Sequence, residues 1–301
     1  EENIRHQYKK ELSPEEKKEL LAEITRMFRI TNLRQLYKDF YEWMGKPEIL
    51  KLTARSKYEY ADVFPLLFLK LKLEGHQPFH NVKHLLIDEM QDYSPVQYAV
   101  IARLFSCNKT ILGDSNQKVN LFGSSTAEMI QRVFQEADVV KLRRSYRSTY
   151  EITGFAQGIL PDSDLIAIER HGDKPEVKKF QNRNDEVKNI LDQIKTFEMS
   201  GYHSLGLICK TEKQAEWLYE QLSCHSDAIN WFTEKSAVFT GGVILTTIHL
   251  SKGLEFDHVI VPFATHENYK TELDRHLLYI ACTRAMHRLE VSYTNSTSKY
   301  I

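Results

Sequence analysis

Two carboxylates that follow an apolar run are the strongest candidates for chemistry in this sequence. The run VKHLLI, from Val82 to Ile87, predicts a buried strand, and Asp88 and Glu89 come directly after it. In open α/β sheets, ligands bind beyond the carboxyl ends of the strands. There Asp88 could hold Mg²⁺, and Glu89 could take a proton from an attacking water. Taken alone, the pair is more typical of a solvated acidic turn, because such turns are common.

Four further segments follow the same plan, with polar residues placed close to a predicted strand or helix. The first, LGDSNQ from Leu112, ends in Gln117, which could report whether a terminal phosphate is present. The second, RRSYRS from Arg143, supplies guanidinium groups that can fork onto phosphate oxygens. The remaining two are TTIHLSKGLEFD, from Thr246, and LYIACTRA, from Leu278.

In this order, the five segments resemble the motifs of superfamily 1 helicases of the UvrD and Rep type. The family forms read roughly DExQD, GDxxQ, YRS, T-H-x-x-KGLEF and Y-x-x-x-TRA. One such motif is a weak signal, whereas five in order are a strong one. The resemblance implies two RecA-like lobes, with ATP and Mg²⁺ bound in the cleft between them. It also implies that nucleic acid crosses the top of the lobes, either as DNA or within a transcription complex.

The same resemblance assigns roles by position. The catalytic set would be Asp88, Glu89, Gln117, Arg147 and Arg284, with Asp88 on the magnesium ion and Glu89 at hydrolysis. Gln117 would sense the terminal phosphate, while Arg147 and Arg284 would act as arginine fingers. Because an arginine finger can contribute a factor on the order of 10³ to 10⁵ in rate, Arg284 carries much weight.

A second set would bind the rest of the nucleotide or connect it to nucleic acid. Tyr146 would lie against the base, and Glu255 would approach the sugar, with Gly253 beside it in the nucleotide site. Thr247 and His249 would couple the cleft to the nucleic-acid track.

The sequence departs from the family pattern in its phosphate-binding loop. No Gly-x-x-x-x-Gly-Lys-Ser/Thr occurs in the 301 residues, so the backbone amides and the lysine that cradle phosphates are lacking. In the family this loop precedes the acidic pair. We therefore expect a missing N-terminal part of the same protein to supply it, and we expect the chain alone not to hydrolyse ATP.

Other departures concern the nucleic-acid track and the size of the chain. Asn120 stands where UvrD-type proteins usually carry an aromatic that stacks on a base, although Phe122 lies nearby. About 95 residues separate Arg147 from Val243, which leaves no room for the large accessory domain of UvrD and Rep. The 40 Lys and Arg residues nearly balance the 41 Asp and Glu residues, so nucleic acid would meet a local basic patch.

The elements that must position these residues predict an α/β fold with two RecA-like lobes, the first incomplete. Residues 1–75 read as helices, either part of the first lobe or an inserted arm. A capping box at Ser13–Glu16 starts the first helix, Thr31 or Asn32 can start the second, and Pro65 should kink or break the third. Residues 76–145 would complete the first lobe, and residues 146–301 would form the second.

Beyond residue 82 the pattern alternates between strands and helices, which favours parallel sheets flanked by helices. The predicted strands are 82–87, 110–112, 139–142, 205–209, 243–247, 259–261 and 289–293. The predicted helices are 95–105, 127–134, 185–199, 212–222 and 274–285.

The four cysteines lie far apart and fit reduced thiols in a cytoplasmic protein. No apolar run is long enough for a membrane span. His76, His80 and His84 are spaced four apart, but Pro78 interrupts any helix between them, so we favour structural histidines over zinc ligands.

The residues around the motifs, together with the helical segment at the start of the chain, are most similar to those of HelD-type motors. These motors associate with RNA polymerase and free it from nucleic acid. The resemblance therefore implies the C-terminal part of an ATP-dependent motor that remodels RNA polymerase complexes. Two alternatives stay open. One is a UvrD/Rep-type DNA helicase of repair or recombination, and the other is a decayed motor that serves as a binding scaffold. The sequence gives no polarity of movement, physiological target or oligomeric state.

Overall fold

The computed structural model describes residues 13–27, 32–52, 57–119, 126–162, 164–226, 228–236 and 241–301. Asn120 and Phe122, whose possible stacking role bears on strand translocation, lie outside these ranges. The chain divides into two compact units. One comprises residues up to Leu85 together with Val96–Asn108, and the other comprises Leu86–Pro95 together with Lys109–Ile301.

The first unit is built mainly from helices. These are α1 (Pro14–Met27), α2 (Leu33–Trp43), α3 (Tyr60–Glu74) and most of α4 (Pro95–Leu104). The predicted capping box is present, because the Ser13 N–H donates to Glu16 Oε2 at 2.8 Å and the Glu16 N–H donates to Ser13 Oγ at 3.2 Å. Asn32 caps α2 by accepting a hydrogen bond from the Arg34 N–H. Both predicted helix starts are therefore confirmed.

Pro65 does not break its helix, so of the predicted kink or break the break is wrong, whereas the kink stays a prediction. It lies inside α3, which continues to Glu74. The start of this helix is fixed by a second capping box between Glu59 and Asp62. Asp62 also accepts a hydrogen bond from the Tyr37 hydroxyl at 2.9 Å, which ties α3 to α2. These contacts offset the loss of the single backbone donor that proline removes.

The second unit contains a six-stranded sheet in which every pairing is parallel. Short strands precede it: β1 (His84–Ile87) pairs with β2 (Asn108–Ile111), and β3 (Arg144–Ser145) pairs with β4 (Ile166–Ala167). The six strands are β5 (Glu176–Phe180), β6 (Ser204–Cys209), β7 (Ile229–Trp231), β8 (Gly242–Thr247), β9 (Phe256–Val261) and β10 (Ala285–Thr294). Their order across the sheet is β5-β10-β9-β6-β8-β7.

Helices of the second unit connect these strands and cover the sheet. They are α5 (Ala127–Val133), α6 (Tyr150–Ile159), α7 (Arg183–Glu198), α8 (Glu212–Ser223), α9 (Ile248–Ser251) and α10 (Glu272–Cys282). Side chains alternate along the central strand β6. Ile208 packs in a core with α6 and α10, whereas Leu207 and Cys209 pack in another with α7 and α8. The predicted α/β class, with helices on a parallel sheet and a helical opening, is confirmed.

Residues 139–142 do not form the strand that their apolar pattern predicts. The structure gives them no strand, and only Arg144 and Ser145 just beyond them pair, with β4. Val140 and Leu142 are exposed rather than buried. An apolar run becomes a strand only when a neighbouring strand accepts its backbone hydrogen bonds, and none of the described residues does so here.

Two further findings concern the cysteines and the membrane-spanning helices considered in the sequence. Cys209 and Cys282 are free thiols buried in the core, as expected, and burial raises the pKa of each well above its ordinary value. Among the described residues, no helix is both long and apolar enough to cross a membrane. The predicted boundary near residue 145 between two lobes stays a prediction.

Candidate active site

The acidic pair Asp88-Glu89 lies where β1 ends, in the second unit. Backbone hydrogen bonds join this strand end to the segment after β2: the Leu112 N–H donates to Ile87 O, and the Met90 N–H donates to Leu112 O, both at 2.8 Å. Asp88 is exposed, and its Oδ1 accepts a hydrogen bond from the Glu89 N–H at 2.8 Å. An exposed carboxylate at a strand's carboxyl end fits a magnesium ion held by few protein ligands.

Glu89 has a left-handed backbone, with φ 54° and ψ 50°. This conformation costs a residue with a Cβ about 1–2 kcal/mol. Strain of this kind clusters at functional sites, where the surrounding structure holds it in place. Here the turn Met90–Asp92 follows at once, and its Asp92 N–H donates back to Glu89 O at 2.9 Å.

Gln91 connects the acidic pair to the next predicted site segment, and the sequence analysis gave it no role. Its side chain is 1% exposed. Its Nε2 donates to Glu89 Oε2 at 2.7 Å and to Gln117 O at 3.4 Å. Its Oε1 accepts from the Asp114 N–H at 3.1 Å. One buried amide therefore fixes the carboxylate of Glu89 and the backbone of residues 114–117 together.

Gln117 and Arg284, both predicted to face the terminal phosphate, are hydrogen-bonded to each other. Arg284 Nη2 donates to Gln117 Oε1 at 2.7 Å, although the two residues are 167 positions apart. The other end of the glutamine amide, Nε2, donates to Asp114 Oδ2 at 2.9 Å. The side chain of Gln117 is thus held at both ends, and its carbonyl oxygen faces the guanidinium of Arg284.

Arg284 is a buried cation, 1% exposed, whose described hydrogen-bond partners are all neutral. Besides Gln117, it donates from Nε to Ile280 O at 3.2 Å and from Nη1 to Leu254 O at 3.4 Å. Burial, and then the positive charge of Arg147, lowers the pKa of Arg284 to about 10. The carboxylates of Glu89, Glu255 and Asp114 oppose that shift. The guanidinium therefore stays charged at neutral pH and is available to an anion.

Arg147 and Glu255 form an ion pair, with Nε and Oε1 2.5 Å apart. Beside it, Ser148 Oγ donates to Ala285 O at 2.6 Å, which fixes the start of α6 near the residue after Arg284. Tyr146, the residue predicted to meet the nucleotide base, is 65% exposed. Such an exposed ring is free to stack, but no contact described here joins it to the other site residues.

The segment from Thr247 to Gly253 supplies the remaining predicted residues. Thr247 caps the short helix α9, because its Oγ1 accepts from the Leu250 N–H at 3.4 Å. His249 is exposed on that helix. Gly253 has φ +83°, a left-handed conformation that glycine adopts without strain. The hydroxyl of Thr247 is thus engaged in its own helix, and its coupling role stays a prediction.

Lys252 is a second residue that the sequence analysis passed over. Its side chain is only 8% exposed, and its Nζ lies 2.7 Å from Asp92 Oδ2 and 3.3 Å from Glu89 Oε2. The sequence did indicate this lysine as a candidate site residue, because Lys252 is the first residue of the KGLEF segment. Its burial against two carboxylates 160 and 163 positions away could not be read from spacing.

Among the described residues, no group of three or more His, Cys, Asp or Glu side chains could hold a metal ion by itself. Mg²⁺ in phosphate-handling sites usually takes one or two carboxylates, with the substrate's phosphates and water as further ligands. Asp88 meets this smaller requirement, because it is exposed and next to Glu89. The residues present therefore fit a magnesium ion that arrives with a nucleotide.

Comparison with known proteins places the chain among helicases. The UvrD/REP helicase N-terminal domain matches residues 2–138, and two UvrD-like helicase C-terminal domains match residues 140–239 and 242–291. The chain belongs to the UvrD/Rep-like superfamily 1 helicase family. The expected family is thus confirmed, whereas its HelD-type branch stays a prediction.

Curated relatives include the ATP-dependent DNA helicase srs2 of Schizosaccharomyces pombe, 29% identical over 57% of this chain. DNA helicase II of Haemophilus influenzae is 27% identical over 56% of it. The chain spans 21% and 23% of the lengths of these two relatives. A solved C-terminal domain of a possible DNA helicase from Lactobacillus plantarum is 35% identical, with a TM-score of 0.45, and the match covers 52% of this chain and 91% of that one.

Proposed function

We propose that this chain forms the part of an ATP-driven DNA helicase that cleaves the terminal phosphate and responds to its loss. The observation that carries the proposal is the buried Arg284, which is charged, bonded only to neutral described partners, and 2.7 Å from Gln117. A scaffold that had lost its chemistry would have no need to bury a cation in this way, because an unpaired buried charge is costly.

In the proposed reaction, Glu89 accepts a proton from the water that attacks the terminal phosphate. Gln91 and Gln117 hold the surrounding groups in place, while Arg284 and Arg147 stabilise the negative charge that develops on the phosphate oxygens. A magnesium ion bound with the nucleotide, for which Asp88 is the ligand, would neutralise part of the same charge. Arg147 must exchange its partner Glu255 for phosphate, and Glu255 would then be free for the sugar.

The remaining roles carry over from the family resemblance. Tyr146 would stack on the base, which its exposure permits, and Gly253 would lie beside the sugar. Thr247 and His249 would connect hydrolysis to nucleic acid, with His249 as the exposed member. The phosphate-binding loop would come from another part of the same protein, since the 301 residues contain no such motif.

DNA is the track that the relatives favour, since those reported above are named as DNA helicases. The HelD-like hypothesis, with RNA polymerase as the partner, has no comparable support among them. We therefore propose that the full protein is a DNA helicase. Release of RNA polymerase is the alternative function, and the experiment below distinguishes the two.

The test uses the full-length protein with ATP, Mg²⁺ and either single-stranded DNA or a duplex with a single-stranded tail. We expect ATP hydrolysis that rises at least about tenfold with single-stranded DNA, and separation of the tailed duplex. A Glu89→Gln variant serves as the inactive control. The DNA helicase proposal would be wrong if the rate of ATP hydrolysis did not change with DNA but increased with purified RNA polymerase freed of nucleic acid.

A further inference from the structure

Two side chains contact the carboxylate of Glu89 at the same oxygen, Gln91 by a hydrogen bond and Lys252 by an ion pair. Gln91 Nε2 lies 2.7 Å from Glu89 Oε2, and Lys252 Nζ lies 3.3 Å from it. Both contacts fall on Oε2, and none of the described residues donates to the second oxygen, Oε1, so that oxygen is available to an incoming water. A general base must lie within hydrogen-bond reach of the proton it takes, so its orientation matters as much as its charge.

Lys252 is well placed to set that orientation. Its side chain is 8% exposed, and its Nζ lies nearer to Asp92 Oδ2, at 2.7 Å, than to Glu89 Oε2, at 3.3 Å. Asp92 therefore anchors the lysine, and the lysine in turn restrains Glu89. The carboxylates of Asp92 and Glu89 are 33% and 37% exposed, so solvent screens the two ion pairs in part. Lys252 also neutralises part of the negative charge that Glu89 and Asp92 would otherwise share.

The backbone around Glu89 places it between two elements. Glu89 has a left-handed conformation between the end of β1 and the short 3-10 turn Met90–Asp92. Gln91 comes from that turn and is itself hydrogen-bonded to Asp114 and Gln117. Lys252 comes from a different part of the chain, the segment after α9, and gives the carboxylate a second contact that originates outside its own turn.

We propose that Lys252 is a positioning residue for hydrolysis, which holds Glu89 by Oε2 so that Oε1 can accept the proton from water. This inference rests on the proposed function. A purely structural lysine would stabilise the unit through Asp92 and leave the chemistry of each folded molecule unchanged. The two roles make different predictions for kinetics.

The experiment measures ATP hydrolysis stimulated by single-stranded DNA in the full-length protein, with kcat and KM determined separately. Lys252→Met should lower kcat by about 10- to 100-fold and leave KM within about threefold, because the base is misplaced while nucleotide contacts remain. Lys252→Arg, which keeps a donor and the charge, should recover most of the loss. Lys213→Met, at an exposed position on α8, should change neither constant.

A double-variant comparison shows whether Lys252 acts through Glu89. In a Glu89→Gln background, Lys252→Met should lower the residual rate by less than about twofold, because the carboxylate it positions is already gone. The thermal unfolding midpoint of each variant separates lost fold from lost chemistry. The proposal would be overturned by a kcat for Lys252→Met within about threefold of wild type, or by a full further loss in the double variant.

The same assay distinguishes this inference from the function on which it depends. If the wild-type protein showed no DNA-stimulated hydrolysis of ATP, the proposed function would be wrong, and the role of Lys252 would fall with it. If the wild type were active and Lys252→Met equally so, only the positioning role would be lost.

Discussion

At the scale of single residues, the candidate site buries a charge that forms no ion pair with a described residue. Arg284 is the clearest case, because its guanidinium is held by backbone carbonyls and by Gln117. Such a set of neutral acceptors orients the group without cancelling its charge. A preorganised cation of this kind can stabilise a transition state at no cost of rearrangement during the reaction.

Replacing Arg284 by alanine should therefore lower the rate of ATP hydrolysis far more than the affinity for the nucleotide. In the full-length protein, we expect Arg284→Ala to lower kcat by roughly 10³-fold or more, with a much smaller change in nucleotide affinity. Arg132→Ala, at an exposed position on α5, is the matched control and should leave both unchanged. Equal losses of binding and rate would instead place Arg284 in the ground-state complex.

A second prediction at this scale concerns His258, which lies in β9 and is 3% exposed. Burial, followed by the nearby charges of Arg288 and Lys178, lowers its pKa to about 4 from an ordinary value of about 6.5. The unfolded chain then binds the proton more readily than the folded one. His258 therefore contributes stability that is present above about pH 6.5 and is lost as pH falls toward about 4.

Urea denaturation of the 301-residue chain at several pH values measures this effect. Between pH 6 and pH 5, we expect His258 to account for a loss of up to about 1.4 kcal/mol in the free energy of unfolding. His258→Asn should show a flatter pH dependence, whereas His203→Asn, at an exposed position, should follow the wild type. Identical slopes for wild type and His258→Asn would contradict the assignment.

At the scale of elements, the segment after β2 must approach the turn after β1 very closely. Gly113 makes this approach possible. A Cβ at that position would lie 2.6 Å from Met90 N and 2.5 Å from Gln91 Oε1, distances that real Cβ atoms do not show. The glycine therefore permits the contacts by which Gln91 joins Glu89 to the backbone of residue 114.

Gly113→Ala should consequently destabilise the chain by about 1–3 kcal/mol, because backbone and buried amide would have to move apart. Gly154→Ala is a matched control, for which we expect the opposite change in the free energy of unfolding. Gly154 is exposed inside α6 with no atom within 4 Å of an added Cβ, so alanine should stabilise the helix by about 0.5–1 kcal/mol. Urea denaturation of both variants checks the pair, and destabilisation of equal size at the two sites would refute the packing argument.

The sequence was informative about elements wherever a local pattern decides the outcome. Capping residues predicted the starts of α1 and α2, and apolar runs predicted β6 and β8, because these signals act over a few neighbouring positions. The strand predicted at residues 139–142 is wrong because strand formation depends on a partner strand, and a local sequence pattern carries no information about that partner. The break predicted at Pro65 is wrong because contacts such as the hydrogen bond from Tyr37 to Asp62 hold the helix in place.

The site was predictable to a similar extent and for similar reasons. Glu89, Gln117 and Arg284 were predicted because each stands in a recognisable segment, and the structure brings Gln117 and Arg284 into contact, while their roles stay predictions. Gln91 and Lys252 stood in the same segments but received no role, because their importance lies in burial and in contacts across the chain. Spacing within a motif carries no information of that kind.

At the scale of the whole molecule, the 301 residues contain the acidic and arginine residues proposed for hydrolysis but no phosphate-binding loop motif. It also spans only about a fifth of the two reported curated relatives. We therefore expect the purified 301-residue protein to show no ATP hydrolysis above that of a Glu89→Gln preparation of the same chain, measured as phosphate release with Mg²⁺ and single-stranded DNA. Appreciable turnover that depends on Glu89 would show that these residues suffice without the loop.

The near balance of charge fits a molecule that meets nucleic acid over a limited area. A protein that bound DNA mainly through phosphates would carry a basic excess, and this chain has a net charge of −1. Any contact with DNA must then depend on a few side chains and on the position of the lobes in the full protein.

The most direct test of the account is the Glu89→Gln variant of the full-length protein, assayed for nucleotide binding and for turnover in parallel. Gln keeps the size of the side chain and one acceptor oxygen but cannot accept the proton from water. We predict unchanged affinity for ATP and a loss of DNA-stimulated turnover of at least about 10²-fold. Turnover equal to that of the wild type would contradict the role of Glu89 as the base and, with it, the proposed hydrolysis site.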